Sequence, residues 1–269
     1  MGRRIGLIAG SGRFPLEALA GARARGEACV VAGLRGEARP ELEAAAAAFA
    51  WVGPTEIETV VSFFKAQAVT EVALVGKVDP KTLLGPDVRW DAARAPFLAG
   101  MRDRTATTVL RAVIELLSAR GLRVLDPSFL LAPFLCPPGR LSRAEAAAGV
   151  LADAAFGMRL ARAAADLEIG QTVAVKDGLI VAVEGMEGTD EAIRRAGRLA
   201  GEGIVAAKAG RTRKDMRIDV PAVGLETVKA LVSVRAAGLV FEAAAVPFFQ
   251  KDEALALADA HGLAVLAEA

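Results

Sequence analysis

Apolar and polar positions alternate with two different periods along the first half of the chain. Strands are predicted at the short apolar runs RRIGLIAG, EACVVAGL, EVALVGKV and LRVLDPS. Helices are predicted between them at FPLEALAGARARG, ELEAAAAAFA, IETVVSFFKAQAV and ATTVLRAVIELLSARG. Apolar strands that alternate with helices favour a parallel sheet covered on both faces. We therefore expect an α/β, Rossmann-like N-terminal domain over 1–130.

The second half of the chain has a different order of elements. A long helix is predicted at SRAEAAAGVLADAAFGMRLARAAADL and a hairpin at TVAVKDGLIVAVE, where Lys176, Asp177 and Gly178 supply the turn. Helices at DEAIRRAGRLAG, ETVKALVSVRAAG and DEALALADAHG then alternate with strands at GIVAAKA, GLVFEA and LAVLAE. Between the halves, FLLAPFLCPPGR contains three prolines and cannot be a regular helix. We expect a linker over 131–142, with a lipid-contacting segment as the alternative, and a mixed α/β domain over 143–269.

Composition narrows the classes of function. With 269 residues, 54% of them hydrophobic, the chain has ample material for buried cores. The net charge is +1, only 5% of the residues are aromatic and tyrosine is absent, which argues against nucleic acid as a partner. The sequence shows no signal peptide and no apolar run of about 18 residues, so we expect a cytoplasmic protein that can still work at a membrane surface.

Residues typical of zinc and nucleophile sites are scarce. Cys29 and Cys136 lie in unrelated contexts, and His261 is the single histidine. They supply neither a cysteine and histidine zinc site nor a Ser-His-Asp triad. We expect Cys29 to be a small buried residue and His261 to end the last helix.

Two turns in the first half follow predicted strands. GLIAGSGRFP resembles the first turn of a nucleotide-binding fold, because Gly10, Ser11 and Gly12 would let backbone N–H groups approach a phosphate. Pro15 stands where a dinucleotide site has its third glycine, and a tight strand-to-helix turn is an equal alternative. In GKVDP, Lys77 and Asp79 follow a strand end, either as ligand contacts or as a polar loop.

Acids are concentrated at two places in the second half. In VEGMEGTDEAIRR, Asp190 suits the positive end of a helix dipole, while Glu184 at a strand end is a candidate oxygen ligand for Mg²⁺. In DMRIDVP, Asp215, Arg217 and Asp219 would share one face of an extended strand. This face is either the wet side of an edge strand or a diphosphate site. In a diphosphate site, bases hold phosphoryl oxygens and carboxylates hold a divalent ion or a water.

Nearly the whole chain resembles the LpxI family, the UDP-2,3-diacylglucosamine pyrophosphatases of Gram-negative lipid A biosynthesis. The resemblance is carried, in the same order, by GLIAGSGRFP, GKV, EIGQTVAVKDGLIVAVEGMEGTDEAIRR and AAKAG followed by DMRIDVPAVGLET. It implies hydrolysis of UDP-2,3-diacylglucosamine to UMP and 2,3-diacylglucosamine 1-phosphate (lipid X). It also implies Mg²⁺ or another divalent cation as cofactor, and two α/β domains with the ligand cleft between them.

The resemblance further implies roles for individual residues. Asp219, in RIDVP, matches the acid regarded as essential in the family, and we expect it to orient the metal ion or the attacking water. Glu184 and Asp190 are secondary candidates for metal ligands, after Asp219. The substrate-binding residues are expected to be Gly10, Ser11, Gly12, Lys77, Gln171, Thr189, Lys208 and Arg217. Lys208 and Arg217 would contact phosphate, and the β-phosphorus would be attacked. A homodimer and peripheral contact with the inner membrane are further expectations.

Two other classes of function stay open on sequence alone. A Rossmann-type nucleotide-sugar oxidoreductase or epimerase is disfavoured by the missing third glycine and by the absence of tyrosine for a Tyr-Lys pair. A non-catalytic lipid-binding protein would bind acyl ligands without turning over any diphosphate.

Overall fold

The computed structural model describes residues 3–78, 82, 106–212, 215, 217 and 220–269, with only the backbone given for 106 and 107. The chain divides into two units. Unit 1 comprises Met1–Leu131 and Asp215–Asp219, and unit 2 comprises Ala132–Lys214 and Val220–Ala269. A short piece of the second half of the sequence therefore groups with the first.

Unit 1 is built on a parallel five-stranded sheet in the order β3-β2-β1-β4-β5. Its strands are β1 (Arg4–Ala9), β2 (Ala28–Leu34), β3 (Ala48–Val52), β4 (Glu71–Val75) and β5 (Arg123–Val124). Its described helices are α1 (Phe14–Ala24), α2 (Glu41–Ala45), α3 (Ile57–Ala66), α4 (Ala106–Ala119) and α5 (Ser128–Leu131). The first strand is central with two strands on each side, which is a Rossmann-like arrangement. The predicted parallel α/β fold of the first half is confirmed.

One predicted helix of unit 1 is wrong over half its length. ELEAAAAAFA is helical only over Glu41–Ala45, and Ala48–Val52 form the edge strand β3. This strand pairs in parallel with β2, from Val30↔Ala48 to Leu34↔Val52. An alanine-rich sequence favours a helix in isolation, but pairing supplies partners for the open edge of β2. Non-local sheet pairing therefore overrides the local preference.

Unit 2 contains a mixed six-stranded sheet in the order β6-β13-β11-β9-β7-β8. Its strands are β6 (Gly139–Arg140), β7 (Thr172–Lys176), β8 (Leu179–Val183), β9 (Val205–Lys208), β11 (Gly238–Glu242) and β13 (Ala264–Glu268), while β10 (Val223–Gly224) and β12 (Phe248–Phe249) form a separate parallel pair. Its helices are α6 (Ala148–Asp166), α7 (Thr189–Ala200), α8 (Leu225–Ser233) and α9 (Lys251–Ala260). The predicted mixed α/β character of the second half is confirmed.

Both faces of the six-stranded sheet are covered. Met158 of α6 packs with Val205 and Val240 in one buried cluster. Residues adjacent to these along the strands, such as Phe241, pack instead with Ile193 of α7 and with residues of α8 and α9. Because neighbouring strand residues point to opposite faces, α6 covers one face and the other three helices cover the second.

The predicted hairpin between β7 and β8 is confirmed. Asp177 and Gly178 both have positive φ, 51° and 75°, as a two-residue type I′ turn requires. The carboxylate of Asp153 on α6 accepts hydrogen bonds from both of their backbone N–H groups, each at 2.8 Å. The helix thus fixes the turn of the hairpin that it covers.

The long helix of unit 2 begins later than predicted. Residues 143–147 precede α6, and Ala147 is its N-cap. The N–H of Arg143 donates to Asp259 Oδ1 at 2.6 Å, and Ser142 Oγ accepts from Val265 N at 2.8 Å. These bonds tie the chain to β13 and to the end of α9, which explains why this alanine-rich stretch does not extend the helix.

The strand predicted at DMRIDVP is wrong at its two described charged residues. Asp215 lies outside any strand and Arg217 lies in a turn. The backbone N–H of Arg217 donates to Asp215 Oδ1 at 3.2 Å. A local bond of an aspartate side chain to the backbone competes with strand pairing. Met216, Ile218 and Asp219 lie outside the described residues.

The segment FLLAPFLCPPGR between the two halves has little regular secondary structure. It contains a 3₁₀ turn, Ala132–Phe134, and the short strand β6, which pairs antiparallel with β13. Leu130 is fully buried in unit 1, and Phe134 packs edge-on against Phe249 in unit 2 with ring centroids 5.3 Å apart. Leu130 and Phe134 are therefore engaged in packing, and the role of the segment as a linker stays a prediction.

Three smaller expectations can be compared with the structure. Cys29 and Cys136 are both buried free thiols, and burial raises the pKa of Cys29 to about 11. His261 is the C-cap of α9, as predicted. None of the helices in the described ranges combines the length and the apolar character that a membrane span requires.

Candidate functional site

The ends of three neighbouring strands lie side by side in the six-stranded sheet. β7 runs antiparallel to both β8 and β9, so its first residue lies beside their last residues. Thr172 begins β7 and is the register partner of Lys208, which ends β9. Glu184 directly follows β8, and Thr189 is the first residue of α7. The topology thus brings three predicted site residues, Glu184, Thr189 and Lys208, together with Thr172, which was not predicted.

Lys208 is the centre of this group, which we call the buried lysine cluster (Thr172, Glu184, Thr189 and Lys208). The lysine is only 3% exposed. Its Nζ donates to Thr189 Oγ1 at 2.7 Å and to Thr172 Oγ1 at 3.1 Å, and lies 3.6 Å from Glu184 Oε2. Thr189 Oγ1 donates to Glu184 Oε1 at 2.9 Å. An ammonium group has three N–H donors, and these three neighbours match them in number.

Two opposing effects act on the carboxyl group of Glu184. Burial is the largest single effect and would raise its pKa, because a charged group is poorly solvated there. The positive charge of Lys208 and hydrogen bonds from Thr172, Thr189 and the N–H of Gln171 together outweigh burial, so the pKa of Glu184 lies below its usual value. Glu184 is therefore a carboxylate at neutral pH, paired with the lysine.

The loop before β7 packs tightly against Glu184. At Gly170, an added Cβ atom would lie 2.1 Å from the carbonyl oxygen of Glu184, so a side chain cannot fit there. Gln171 donates its N–H to Glu184 Oε2 at 3.3 Å, and its carbonyl accepts from Ala209 N at 3.0 Å. Gln171, a predicted site residue, thus joins the cluster through its main chain.

Thr172 is a member of the cluster that the sequence interpretation missed. Thr172 is only 2% exposed. A polar residue at the start of the otherwise apolar run TVAV was a usable signal, because a buried hydroxyl needs a partner. That the partner would be Lys208, which lies 36 positions away, depends on the antiparallel pairing of β7 with β9.

The described residues do not by themselves form a divalent metal site. Glu184 is engaged by Lys208, and Asp190 is the second residue of α7, where it suits the helix dipole. Within the described ranges, no group of three or more histidine, cysteine, aspartate or glutamate side chains could hold a metal ion. The predicted ligand Asp219 lies outside the described residues, as does Asp79.

The predicted N-terminal site residues also meet, in unit 1. The N–H of Gly10 donates to Val75 O at 2.8 Å, and Ser11 N and Lys77 O lie 2.6 Å apart in a two-way bridge that Lys77 N completes with Ser11 O at 3.0 Å. Ser11 Oγ also donates to Lys77 O, at 2.9 Å. A Cβ atom on Gly10 would lie 2.2 Å from that carbonyl. The backbone groups of Gly10 and Ser11 are therefore used in joining two turns, and Gly12 follows with a φ of 90°.

Arg217, predicted to contact phosphate, forms a two-pronged ion pair with Asp215. Its Nε donates to Oδ1 at 2.8 Å and its Nη2 to Oδ2 at 2.7 Å. This hydrogen bonding lowers the pKa of Asp215, with a further contribution from Arg111, and it raises the pKa of Arg217. The carboxylate thus presents the guanidinium group in a fixed orientation. Both side chains are partly exposed, Asp215 at 33% and Arg217 at 40%.

The fold and these groups define a two-unit α/β protein. Unit 1 is Rossmann-like, and unit 2 has a buried lysine–glutamate pair where strands β8 and β9 end. The LpxI N-terminal domain model matches residues 4–134, and the LpxI C-terminal domain model matches residues 137–266. The chain belongs to the LpxI family, which confirms the family predicted from its motifs.

Two known proteins illustrate how far the similarity extends. The chain is 30% identical to the UDP-2,3-diacylglucosamine pyrophosphatase LpxI of Caulobacter vibrioides, over 98% of this chain and 97% of that protein. Among solved structures, phosphoribosylglycinamide synthetase from Anaerococcus prevotii is similar over 72% of this chain and 42% of its own, with 13% identity and a TM-score of 0.26.

Proposed function

We propose that this protein hydrolyses the diphosphate of UDP-2,3-diacylglucosamine, giving UMP and 2,3-diacylglucosamine 1-phosphate in lipid A biosynthesis. The observation that carries the proposal is the match over 97% of the length of a relative that is named a UDP-2,3-diacylglucosamine pyrophosphatase. The two LpxI domain models, which together span nearly the entire chain, support it as well. Attack on the β-phosphorus, on the sugar side, is part of the proposal.

Asp219 is the proposed catalytic acid, because it matches the family's essential acid in RIDVP. Arg217 lies two positions before it and is proposed to hold phosphoryl oxygens. Its guanidinium group is oriented by Asp215, and the Arg217 side chain is still 40% exposed, so N–H donors not used by Asp215 can bind a second anion. A bidentate carboxylate partner lowers the entropy that the arginine loses on binding a phosphate.

The buried lysine cluster has a supporting role in this proposal. The ammonium of Lys208 is directed at Thr172, Thr189 and Glu184, so direct contact with phosphate would require one of them to be displaced. As arranged, the lysine holds the start of α7 and the end of β8 against the end of β9. This keeps the loop over 185–188 and the chain leaving β9 in fixed positions.

A divalent cation, most simply Mg²⁺, is proposed as cofactor on the strength of the family resemblance. When bound, such an ion neutralises diphosphate charge and strengthens a water nucleophile. Because Glu184 is already paired with Lys208, the proposed metal site depends on Asp219 rather than on the buried lysine cluster.

The remaining proposals concern the lipid part of the substrate. Each acyl methylene removed from water contributes about 0.8 kcal/mol, so ten of them give on the order of 8 kcal/mol before opposing terms. Acyl chains can thus dominate substrate affinity.

A homodimer and peripheral contact with the inner membrane surface are proposed on the resemblance to the LpxI family.

The direct test is to follow the products in ¹⁸O-labelled water. We expect UMP without the label and 2,3-diacylglucosamine 1-phosphate carrying one ¹⁸O atom, which mass spectrometry resolves. Label in UMP would contradict attack at the β-phosphorus while supporting hydrolysis. Binding of the lipid without any product would favour a lipid-binding protein and overturn the proposal.

A further inference from the structure

The chain that leaves β9 is held at consecutive residues before it reaches the segment with Arg217. We call residues 209–212 the anchor loop. Ala209 donates its N–H to Gln171 O at 3.0 Å, at the start of β7. Gly210 donates its N–H to Glu242 Oε2 at 3.1 Å, at the end of β11. The first half of the loop is therefore fixed to two strands of the sheet.

The second half of the anchor loop is held by carboxylates near the end of α6. Thr212 donates twice to Asp166, from its N–H to Oδ1 and from its hydroxyl to Oδ2, each at 2.7 Å. Arg211 donates to Glu168 Oε1 at 2.8 Å. Asp166 is the last residue of the 19-residue helix α6, so it is a rigid attachment point.

Apolar burial holds the start of the anchor loop, where Ala209 is fully buried, but it contributes little to the second half, because the loop borders an open cleft of about 410 Å³. The lining residues are Arg162, Gly210, Arg211, Thr212, Glu242 and Ala269. Thr212 is itself exposed. The polar bonds from the two carboxylates near the helix end are therefore what determines the position of the second half of the loop.

The chain is fixed again at Val223, eleven positions after Thr212. Val223 donates its N–H to Pro247 O at 3.0 Å and pairs with Phe248 in the short β10–β12 sheet. Thr212 and Val223 are thus both held by hydrogen bonds, and ten positions of the sequence, including Arg217 and Asp219, lie between them. Only two residues separate Thr212 from Asp215, so their Cα atoms lie within about 11 Å of each other, and the position of Thr212 limits where Asp215 can lie.

We propose that Asp166 is a positioning residue for the reaction, acting through Thr212 on the segment that carries Arg217 and Asp219. The inference rests on the proposed diphosphate hydrolysis and on Asp219 as its catalytic acid. Catalytic groups must be placed closely, since displacement by about 1 Å can cost on the order of 100-fold in rate. Asp166 itself is not proposed to touch the substrate.

The experiment compares four folded proteins, the wild type and the variants Asp166→Ala, Asp166→Asn and Asp259→Ala. Asparagine can still accept from Thr212 N and can donate to its hydroxyl, so it is the conservative rescue. Asp259 is the matched control, because it also accepts a backbone N–H, that of Arg143, near the end of a helix of unit 2. We measure kcat and KM for UMP release, and hydrogen exchange of peptides covering 209–224.

We expect Asp166→Ala to lower kcat by 10- to 100-fold with less than a threefold change in KM, and to speed exchange over 209–224. Asp166→Asn should restore most of kcat, and Asp259→Ala should change neither kcat nor that exchange. Unchanged kcat and exchange in Asp166→Ala, or equal losses in Asp259→Ala, would overturn the inference. If the wild type released no UMP, the proposed function would fail. In that case the exchange data would still decide whether Asp166 holds the segment.

Discussion

Replacing Lys208 by methionine tests whether the buried ion pair between Lys208 and Glu184 stabilises unit 2. Methionine keeps an unbranched apolar stem of similar length but removes the ammonium group. The side chains of Lys208 and Glu184 are only 4% and 12% exposed, so water cannot readily replace the lost partner. Glu184 keeps its hydrogen bonds from Thr189 and from the N–H of Gln171.

The size of the effect follows from the separation of the charges. At 3.6 Å, an ion pair is worth about 5 kcal/mol with an effective dielectric constant of about 20. Removing one partner of a buried pair typically costs about 3–5 kcal/mol, because the other charge is left uncompensated. The carboxyl group retains its hydrogen bonds from Thr172, Thr189 and the N–H of Gln171, and it can take up a proton. We therefore expect Lys208→Met to lower the free energy of unfolding by about 3 kcal/mol.

Urea unfolding at neutral pH measures this free energy. The matched control is Lys229→Met, since Lys229 pairs with Glu226 on the surface, where the side chains are 50% and 68% exposed. That change should cost less than about 1 kcal/mol. The double variant Lys208→Met/Glu184→Gln should recover part of the loss, because an amide needs no charge partner.

Two results would refute this reasoning. A loss of less than about 1 kcal/mol in Lys208→Met would mean that the pair contributes no more than a surface pair does. A double variant no more stable than Lys208→Met would mean that the lost stability does not come from the uncompensated charge of Glu184.

The remaining predictions concern acid stability, a close contact and the thiols. Because the pKa of Glu184 is lowered by folding, its contribution to stability is present above its unfolded pKa, about 4.3, and is lost as the pH falls through the folded value. Urea unfolding from about pH 6 to about pH 3 should show that the free energy of unfolding falls less steeply with decreasing pH in Glu184→Gln than in the wild type. Equal slopes would contradict the pairing of Glu184 with Lys208. Gly10→Ala should destabilise unit 1 by about 2 kcal/mol, since its Cβ would meet Lys77 O, whereas Gly149→Ala, with open space around it, should be nearly neutral in the same assay. Native protein should react slowly with a thiol reagent at about pH 8, because burial raises the pKa of Cys29 to about 11 and that of Cys136 in the same direction. Rapid native labelling, equal to that in urea, would contradict the burial of both thiols.

Local patterns were sufficient to predict most of the elements. The apolar runs of β1, β2 and β4 are bounded by glycine or charge, and the turn at Asp177 and Gly178 follows from residues that accept positive φ. Strand β3 could not be predicted in this way, because its sequence AFAWV follows an alanine-rich stretch and its pairing with β2 is not local. The short strands β10 and β12 likewise depend on pairing between distant parts of the chain.

The candidate site was predictable as a set of residues but not as an arrangement. Glu184, Thr189 and Lys208 were chosen from motifs, and the structure brings them together. The sequence suggested separate roles, a metal ligand and a phosphate contact, because spacing along the chain cannot reveal that Lys208 and Glu184 neutralise each other. The antiparallel register of β7 with β8 and β9 determines that outcome. The pairing of Arg217 with Asp215 depends on a local turn where strand alternation was expected.

UMP release from UDP-2,3-diacylglucosamine tests the central claim most directly, measured for the wild type with Mg²⁺, for the wild type with EDTA, and for Asp219→Ala and Glu145→Ala with Mg²⁺. Glu145 is a matched acidic control, because its exposed side chain pairs with Arg140 on the surface. We predict release by the wild type and by Glu145→Ala with Mg²⁺, and loss of release with EDTA or in folded Asp219→Ala. No release by the folded wild type with any divalent ion, or full activity of Asp219→Ala, would contradict the account.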